Sequence, residues 1–256
     1  FAIITDIHLG PKGYHKGILR KINHNIKTLL RNFIEEINNN IKPEFVVVLG
    51  DLIEDENEIN DKKNIKYVVK LLKKLKYPVY YVTGNHDSQN ISENELTRIF
   101  NNQLYYSFDV GNYHIIVLFT KSKFNKNTRV SKEQISWLKE DLDKTNKKTI
   151  VFSHHSLAAQ NLKGNPWFED SPEYHVVINR RKIRKILEKS NRVIGVFNGH
   201  LHWNKKNIHG KIPYFTIQSL VENEDDKGIA SETHAIINIV GSKIDVKIKG
   251  NYPKEY

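Results

Sequence analysis

Five short polar fragments most constrain what this chain can fold into: Asp6-Ile7-His8, Gly50-Asp51, Gly84-Asn85-His86-Asp87, His154-His155 and Gly199-His200-Leu201-His202. Four of the five follow an apolar run that reads as a β-strand. Together they offer carboxylate, amide and imidazole donors at the ends of buried strands, a placement that suits a dinuclear metal site.

The segments between them alternate in period. Ala2-Ile3-Ile4-Thr5 and Phe45-Val46-Val47-Val48-Leu49 are short, apolar and partly β-branched, as buried strands are. Between them Ile18, Ile22, Ile26, Leu29, Phe33 and Ile37 recur at spacings of three or four, which predicts one amphipathic helix over Ile18 to Ile37. The Asn38-Asn39-Asn40 patch reads as its end. A second helix through Tyr67, Val68, Leu71, Leu72 and Leu75 leads to a strand at Pro78 to Val82. Ser131-Lys132-Glu133-Gln134 has capping-box form, and Ile135, Leu138 and Leu142 give the following helix its buried face. The strand Thr149 to Phe152 delivers His154, and a helix at about Arg180 to Lys189 precedes the strand Val193 to Phe197. Ile212 to Gln218, His234 to Val240 and Lys243 to Lys249 alternate or run apolar around Gly210 and Gly241, which suggests antiparallel strands. A layered α/β architecture follows, with helices covering two sheets.

No Pro/Gly/Ser-rich linker divides the 256 residues, so one domain over 1–256 is expected. The chain has no cysteine, so metal ligands must be oxygen and imidazole nitrogen. The formal charge of +11 favours anionic partners, or else reflects lysines on solvated helix faces. No stretch approaches the ~20 apolar residues of a membrane span and no signal peptide is visible, so a cytoplasmic location is expected. The sequence starts at Phe1 inside a strand-like run and contains no Met, which suggests a trimmed N-terminal segment and leaves export open.

Ligand sites in open α/β sheets form beyond the carboxyl ends of the strands, where Asp6, Asp51, Asn85, His154 and His200 stand. Residues two apart on extended backbone point the same way, so Asp6 and His8 can face one ion, and His200 and His202 can share one space. A carboxylate after a Gly turn suits bridging, which assigns Asp51 between two divalent ions. Asn85 would add a neutral carbonyl oxygen, leaving two carboxylates against two dications. Such a centre attracts phosphate and makes hydroxide available near neutral pH. These donors accept Mn, Fe, Zn, Co or Ni, as divalent or mixed-valence ions.

As an ordered set these fragments resemble the calcineurin-like metallophosphoesterase superfamily. The resemblance covers roughly four fifths of the chain. It implies a four-layer α-β-β-α sandwich of two mixed sheets flanked by helices, and hydrolysis of a phosphate ester by a metal-bridging hydroxide. It also implies that Asp6, His8, Asp51 and His202 hold one ion, and Asp51, Asn85, His154 and His200 the other. His86 would stabilise phosphoryl oxygens or protonate the leaving group, with Asp87 orienting it. His154 is the expected ligand of the His154-His155 pair; His155 either stands behind the ligands, faces substrate, or packs without a chemical role. His15, His24, His114, His175, His209 and His234 are read as ordinary surface or packing residues.

Ser88-Gln89 stands where Ser/Thr protein phosphatases carry Cys-Arg, which weakens that assignment, and Glu54 stands where many relatives carry Asp. His154-His155-Ser156-Leu157 resembles the His-His-Pro-Pro segment of bacterial cyclic-nucleotide and glycerophosphodiester phosphodiesterases without its prolines. Gln134-Ile135-Ser136-Trp137-Leu138 resembles the same branch. The expected function is hydrolysis of a small phosphodiester, nucleotide or related phosphorylated metabolite, with phosphomonoesterase, DNA nuclease or noncatalytic scaffold as alternatives. Nucleic acid is not the favoured partner, because no DNA-capping domain follows Gly199-His202. Ser156 to Val177, with Trp167, Phe168 and Tyr174, either recognises the non-phosphate half of the substrate or is an aromatic-pinned surface loop.

Overall fold

The structure is a computed structural model describing residues 1–123 and 126–256, the side chains of Lys123 and Lys126 excepted. In its first half run β1 (Ala2–Ile4), β2 (Gly13–His15), β3 (Ile18–Lys21), α1 (Ile26–Glu36), β4 (Val46–Val48), α2 (Glu58–Leu72), β5 (Val79–Tyr81) and α3 (Glu93–Phe100). There follow β6 (Tyr106–Val110), β7 (Tyr113–Leu118), β8 (Lys121–Lys123), β9 (Lys126–Arg129), α4 (Lys132–Lys144), β10 (Lys148–Ser153), α5 (Arg180–Ser190) and β11 (Val193–Asn198). The chain ends with β12 (Lys205–His209), β13 (Ile212–Thr216), β14 (His234–Val240), β15 (Lys243–Lys249) and β16 (Lys254–Glu255).

Two six-stranded mixed sheets result, in the orders β16-β15-β14-β1-β4-β5 and β12-β13-β11-β10-β7-β6. The period-2 alternation of the central strands decides what each face covers. Ile3 and Val47 point between the sheets, where they meet Ile115, Val117, Ile150, Phe152, Phe197 and Phe215. Ala2, Ile4, Val46 and Val48 point outward against Leu30 and Phe33 of α1 and Ile65 and Val68 of α2. On the far side Ile116, Leu118, Val151 and Val196 pack against Leu138 of α4 and Ile183 of α5. The three apolar interfaces make the expected α-β-β-α sandwich. Among the described residues no helix is long and apolar enough to cross a membrane.

The expected helix over Ile18 to Ile37 is shorter. Lys16 and Gly17 both take positive φ (50° and 79°), turning the chain into the β2–β3 hairpin, so Ile18 and Ile22 lie outside α1. The end at the asparagine patch holds: Ile37–Ile41 widens into a π-helical turn, closed by the Lys42 N–H bonding the Ile37 carbonyl at 2.9 Å. The second helix starts earlier than its apolar residues suggest, because the Asn57 side chain caps Asn60 N at 3.0 Å. Tyr106–Leu118, unassigned from sequence, is a hairpin turned at Gly111. The Ile212 strand is parallel to β11 rather than part of an antiparallel run; β12 supplies its antiparallel neighbour.

Candidate metal centre

All five fragments lie past the carboxyl ends of parallel strands: β1, β4 and β5 in one sheet, β10 and β11 in the other. Parallel pairing continues into the loops, with Asp6 N on Gly50 O at 3.0 Å and His8 N on Asp51 O at 3.0 Å. The backbone there is not extended. Asp6, His8, Asp51, His200 and His202 all have left-handed φ, between 50° and 66°, which costs non-glycine residues on the order of 1 kcal/mol or more each. Asp6 and His8 do face one space, as expected, but through two successive left-handed turns.

The donor atoms converge in two groups joined by one carboxylate. In the first, His8 Nε2 lies 3.0 Å from His202 Nε2 and 3.7 Å from Asp6 Oδ1, and His202 Nε2 lies 3.4 Å from the same Asp6 oxygen. In the second, His154 Nε2 lies 3.1 Å from Asn85 Oδ1, and the ligand atoms of His154, His155 and His200 fall within 4.8 Å of one another. Asp51 Oδ2 reaches both, 3.9 Å from His8 Nε2 and 3.1 Å from His154 Nε2.

Outer partners fix the ring orientations. His154 Nδ1 donates to the Leu49 carbonyl at 2.8 Å, His202 Nδ1 donates to Glu222 at 2.6 Å and His8 Nδ1 lies 2.7 Å from Glu54, so in each ring Nε2 is the nitrogen turned to the centre. His200 is reversed: Nε2 bonds the Tyr174 carbonyl at 3.1 Å and Nδ1 is the remaining acceptor. Two buried imidazole nitrogens turned to each other beside a carboxylate form a donor set suited to a divalent cation. Glu54 and Glu222 were not identified from sequence. Glu54 registered only as a departure from a family pattern, and Glu222 has no local motif.

Burial would raise the Asp6 and Asp51 carboxyls, but the surrounding imidazoles hold both well below the usual range: His202 and His8 by hydrogen bonds to Asp6, His154 and His86 by charge on Asp51. Burial depresses His154 and His202, yet Asp51 holds the first at about 9, and Asp6 and Glu222 hold the second at about 9. His200 falls to about 3 through burial and the His154 charge. The carboxylates are thus kept ionised and acceptor-ready.

His86 Nε2 lies 4.0 Å from Asp51 Oδ2, and its Nδ1 hydrogen-bonds Asp55. Burial would lower its pKa, but the Asp51 charge and the Asp55 bond leave it raised. Asp87 stands elsewhere than the orienting role expected for it. Its oxygens accept the backbone N–H groups of Asp51, Leu52, Ile53 and Gly84 at 2.8–3.3 Å, welding the Asp51 loop to the Asn85 turn. His155 pairs its Nδ1 with Thr120 Oγ1 at 2.8 Å, and its ring centroid lies 4.2 Å from that of His200. Burial and the two neighbouring histidines push its pKa well down.

Two glycines are dictated by closeness. A Cβ on Gly84 would stand 2.0 Å from Asp51 Oδ1, and one on Gly199 2.4 Å from Asp6 Oδ2 and 2.2 Å from Thr5 Oγ1. Over the donors opens a cavity of about 430 Å³, lined by Asp51, Asn85, His86, His200 and His202 on one side and Trp167, Phe168 and Tyr174 on the other. The Ser156 to Val177 segment therefore reaches the site. Trp167 Nε1 donates to Glu222 at 2.9 Å, on the oxygen that takes His202, and the Phe168 ring lies 4.9 Å from that of His200.

A two-sheet α/β sandwich with clustered carboxylates and imidazoles at its strand ends defines a metal-dependent phosphohydrolase. Residues 1–204 match the calcineurin-like phosphoesterase family, and the chain belongs to it. The probable glycerophosphodiester phosphodiesterase GpdQ of Arcobacter nitrofigilis is 29% identical over 214 residues, covering 79% of this chain and 73% of that protein. The 3',5'-cyclic adenosine monophosphate phosphodiesterase CpdA of Haemophilus influenzae is 27% identical over 162 residues, covering 62% and 55%. A dimetal phosphatase from Danio rerio has the same fold, with a TM-score of 0.79 at 16% identity over 99% of this chain and 97% of that one.

Proposed function

We propose that residues 1–256 act as one domain that hydrolyses a small phosphodiester or related phosphorylated metabolite with two metal ions. The observation that carries this reading is the pair of donor groups sharing Asp51 beneath a cavity of about 430 Å³. Asp6, His8, Asp51 and His202 would hold one ion, and Asp51, Asn85, His154 and His200 the other. When bound, such ions lower the pKa of a coordinated water and polarise phosphoryl oxygens. His86, fixed by Asp55, holds a proton beside Asp51 for a phosphoryl or leaving-group oxygen. Glu54 and Glu222 keep the imidazoles of His8 and His202 in register. Trp167, Phe168 and Tyr174 exclude water and contact the non-phosphate half of the substrate.

The similarity to the probable glycerophosphodiester phosphodiesterase GpdQ and to the cyclic adenosine monophosphate phosphodiesterase CpdA supports a diester preference. The test is a panel of cyclic nucleotides, glycerophosphodiesters, nucleotide diphosphate esters and simple monoesters, run with Mn, Zn and Ni. Turnover of a diester above every monoester is expected; turnover of monoesters alone would overturn the preference. Trp167→Ala should lower kcat/KM on each accepted substrate, and unchanged efficiency throughout would remove the segment's role.

A further inference from the structure

Lys21 is the only Lys or Arg among the described residues lining the cavity, and nothing above gives it a task. It is 4% exposed and is delivered by the β2–β3 hairpin, where it pairs with Gly13. A Cβ on Gly13 would stand 2.6 Å from Lys21 Cδ and 2.8 Å from Cγ, so that glycine makes room for the lysine stem. The ammonium then passes over the Trp167 ring, 5.1 Å from its centroid, and donates to Glu54 Oε2 at 2.5 Å. It also lies 3.4 Å from His8 Nδ1, which is itself 2.7 Å from Glu54 Oε2. An ammonium has three N–H donors. With Glu54 and His8 Nδ1 taking one each, a third remains without a protein acceptor among the described residues, on a side chain that lines the cavity.

We propose that Lys21 binds a non-bridging oxygen of the phosphoryl group, an assignment that rests on the phosphoester reading above. Its charge matters most for a phosphoryl group with three free oxygens. Lys21 thus sets how strongly the site holds a dianionic monoester, or orthophosphate, relative to a monoanionic diester. Lysine serves this role as a point charge, without the planar fork of arginine.

Lys21→Met keeps the stem over Gly13 and Trp167 and removes only the charge. The experiment compares orthophosphate binding by calorimetry, and metal content by elemental analysis, in metal-loaded wild type and variant. The expected result is about tenfold weaker orthophosphate binding with metal content unchanged, the scale of one charge-assisted hydrogen bond. The kcat/KM for p-nitrophenyl phosphate should also fall more than that for bis(p-nitrophenyl) phosphate. Gly13→Ala, which displaces the stem and keeps the charge, should weaken orthophosphate binding in the same direction by less. Unchanged orthophosphate affinity in Lys21→Met overturns the assignment. Loss of metal from that variant also overturns it, because Lys21 would then act only through Glu54 and His8. If loaded wild type does not bind orthophosphate at all, the phosphoester reading fails and the assignment falls with it.

Discussion

The Nε2 atoms of His8 and His202, 194 positions apart in the chain, lie 3.0 Å from each other, and each ring meets a glutamate on its other nitrogen, the half-buried Glu54 for His8 and the buried Glu222 for His202. Two imidazole nitrogens turned to one point beside the Asp6 carboxylate are the donor arrangement that a divalent cation takes. The glutamates are what hold it in place.

Replacing Glu222 by Ala should therefore weaken metal binding without unfolding the protein. It releases both His202 Nδ1 and Trp167 Nε1, which share one of its oxygens. Loss of an outer partner of this kind costs about 10- to 100-fold in affinity. Competition with a chromophoric chelator measures it, and unchanged affinity would show that His202 is oriented by packing alone.

His86 and Asp87, neighbours in sequence, should fail differently. His86→Ala should keep its metal and lose about 10²- to 10⁴-fold in kcat, the range for a positioned proton donor. Asp87→Ala strips acceptors from four backbone N–H groups. At about 1–3 kcal/mol for each buried donor left unsatisfied, it should lower Tm and release metal. Thermal melts and metal analysis separate the two; equal metal loss would contradict the division.

Gly199→Ala should resemble loss of a ligand although glycine donates nothing. Its Cβ would stand 2.4 Å from Asp6 Oδ2, so the Asp6 carboxylate must move. Metal content should fall below that of wild type while circular dichroism stays native-like. Full metal retention would show that the loop can shift without cost.

Away from the centre, His114 joins Asp109 at 2.7 Å and Asp141 at 2.8 Å, and the Asp141 hydrogen bond above all raises its pKa. A raised folded-state value means that the protonated bridge stabilises fully below the ordinary histidine value of about 6.5 and is lost as pH rises through the raised one. His114→Gln should thus lower Tm more at pH 6 than at pH 9.5. A Tm difference independent of pH would mean that the bridge contributes through packing only.

The sequence made the donor residues legible because each stands beside a strand of unmistakable apolar character, as Asp51 does after Val46–Val48 and His200 after Val193–Asn198. The partners of those donors were not legible. Glu222 meets His202 only through the fold, and Asp55 meets His86 across a separation of 31 residues. Asp87 looked like a partner of its neighbour, yet its oxygens lie on backbone amides that no side-chain pattern announces. The Ile18 helix start misled for a different reason: a spacing of four fits a helix and also a strand followed by a turn, and Gly17 settles the matter through its backbone conformation.

The count of metal ions per chain tests the centre most directly. After reconstitution with Mn or Zn and removal of excess, elemental analysis should give two equivalents in wild type and a loss in Asp51→Asn, whose carboxylate both donor groups share. Wild type should then hydrolyse bis(p-nitrophenyl) phosphate. Fewer than one equivalent after reconstitution, with no hydrolysis of that diester, would contradict the account.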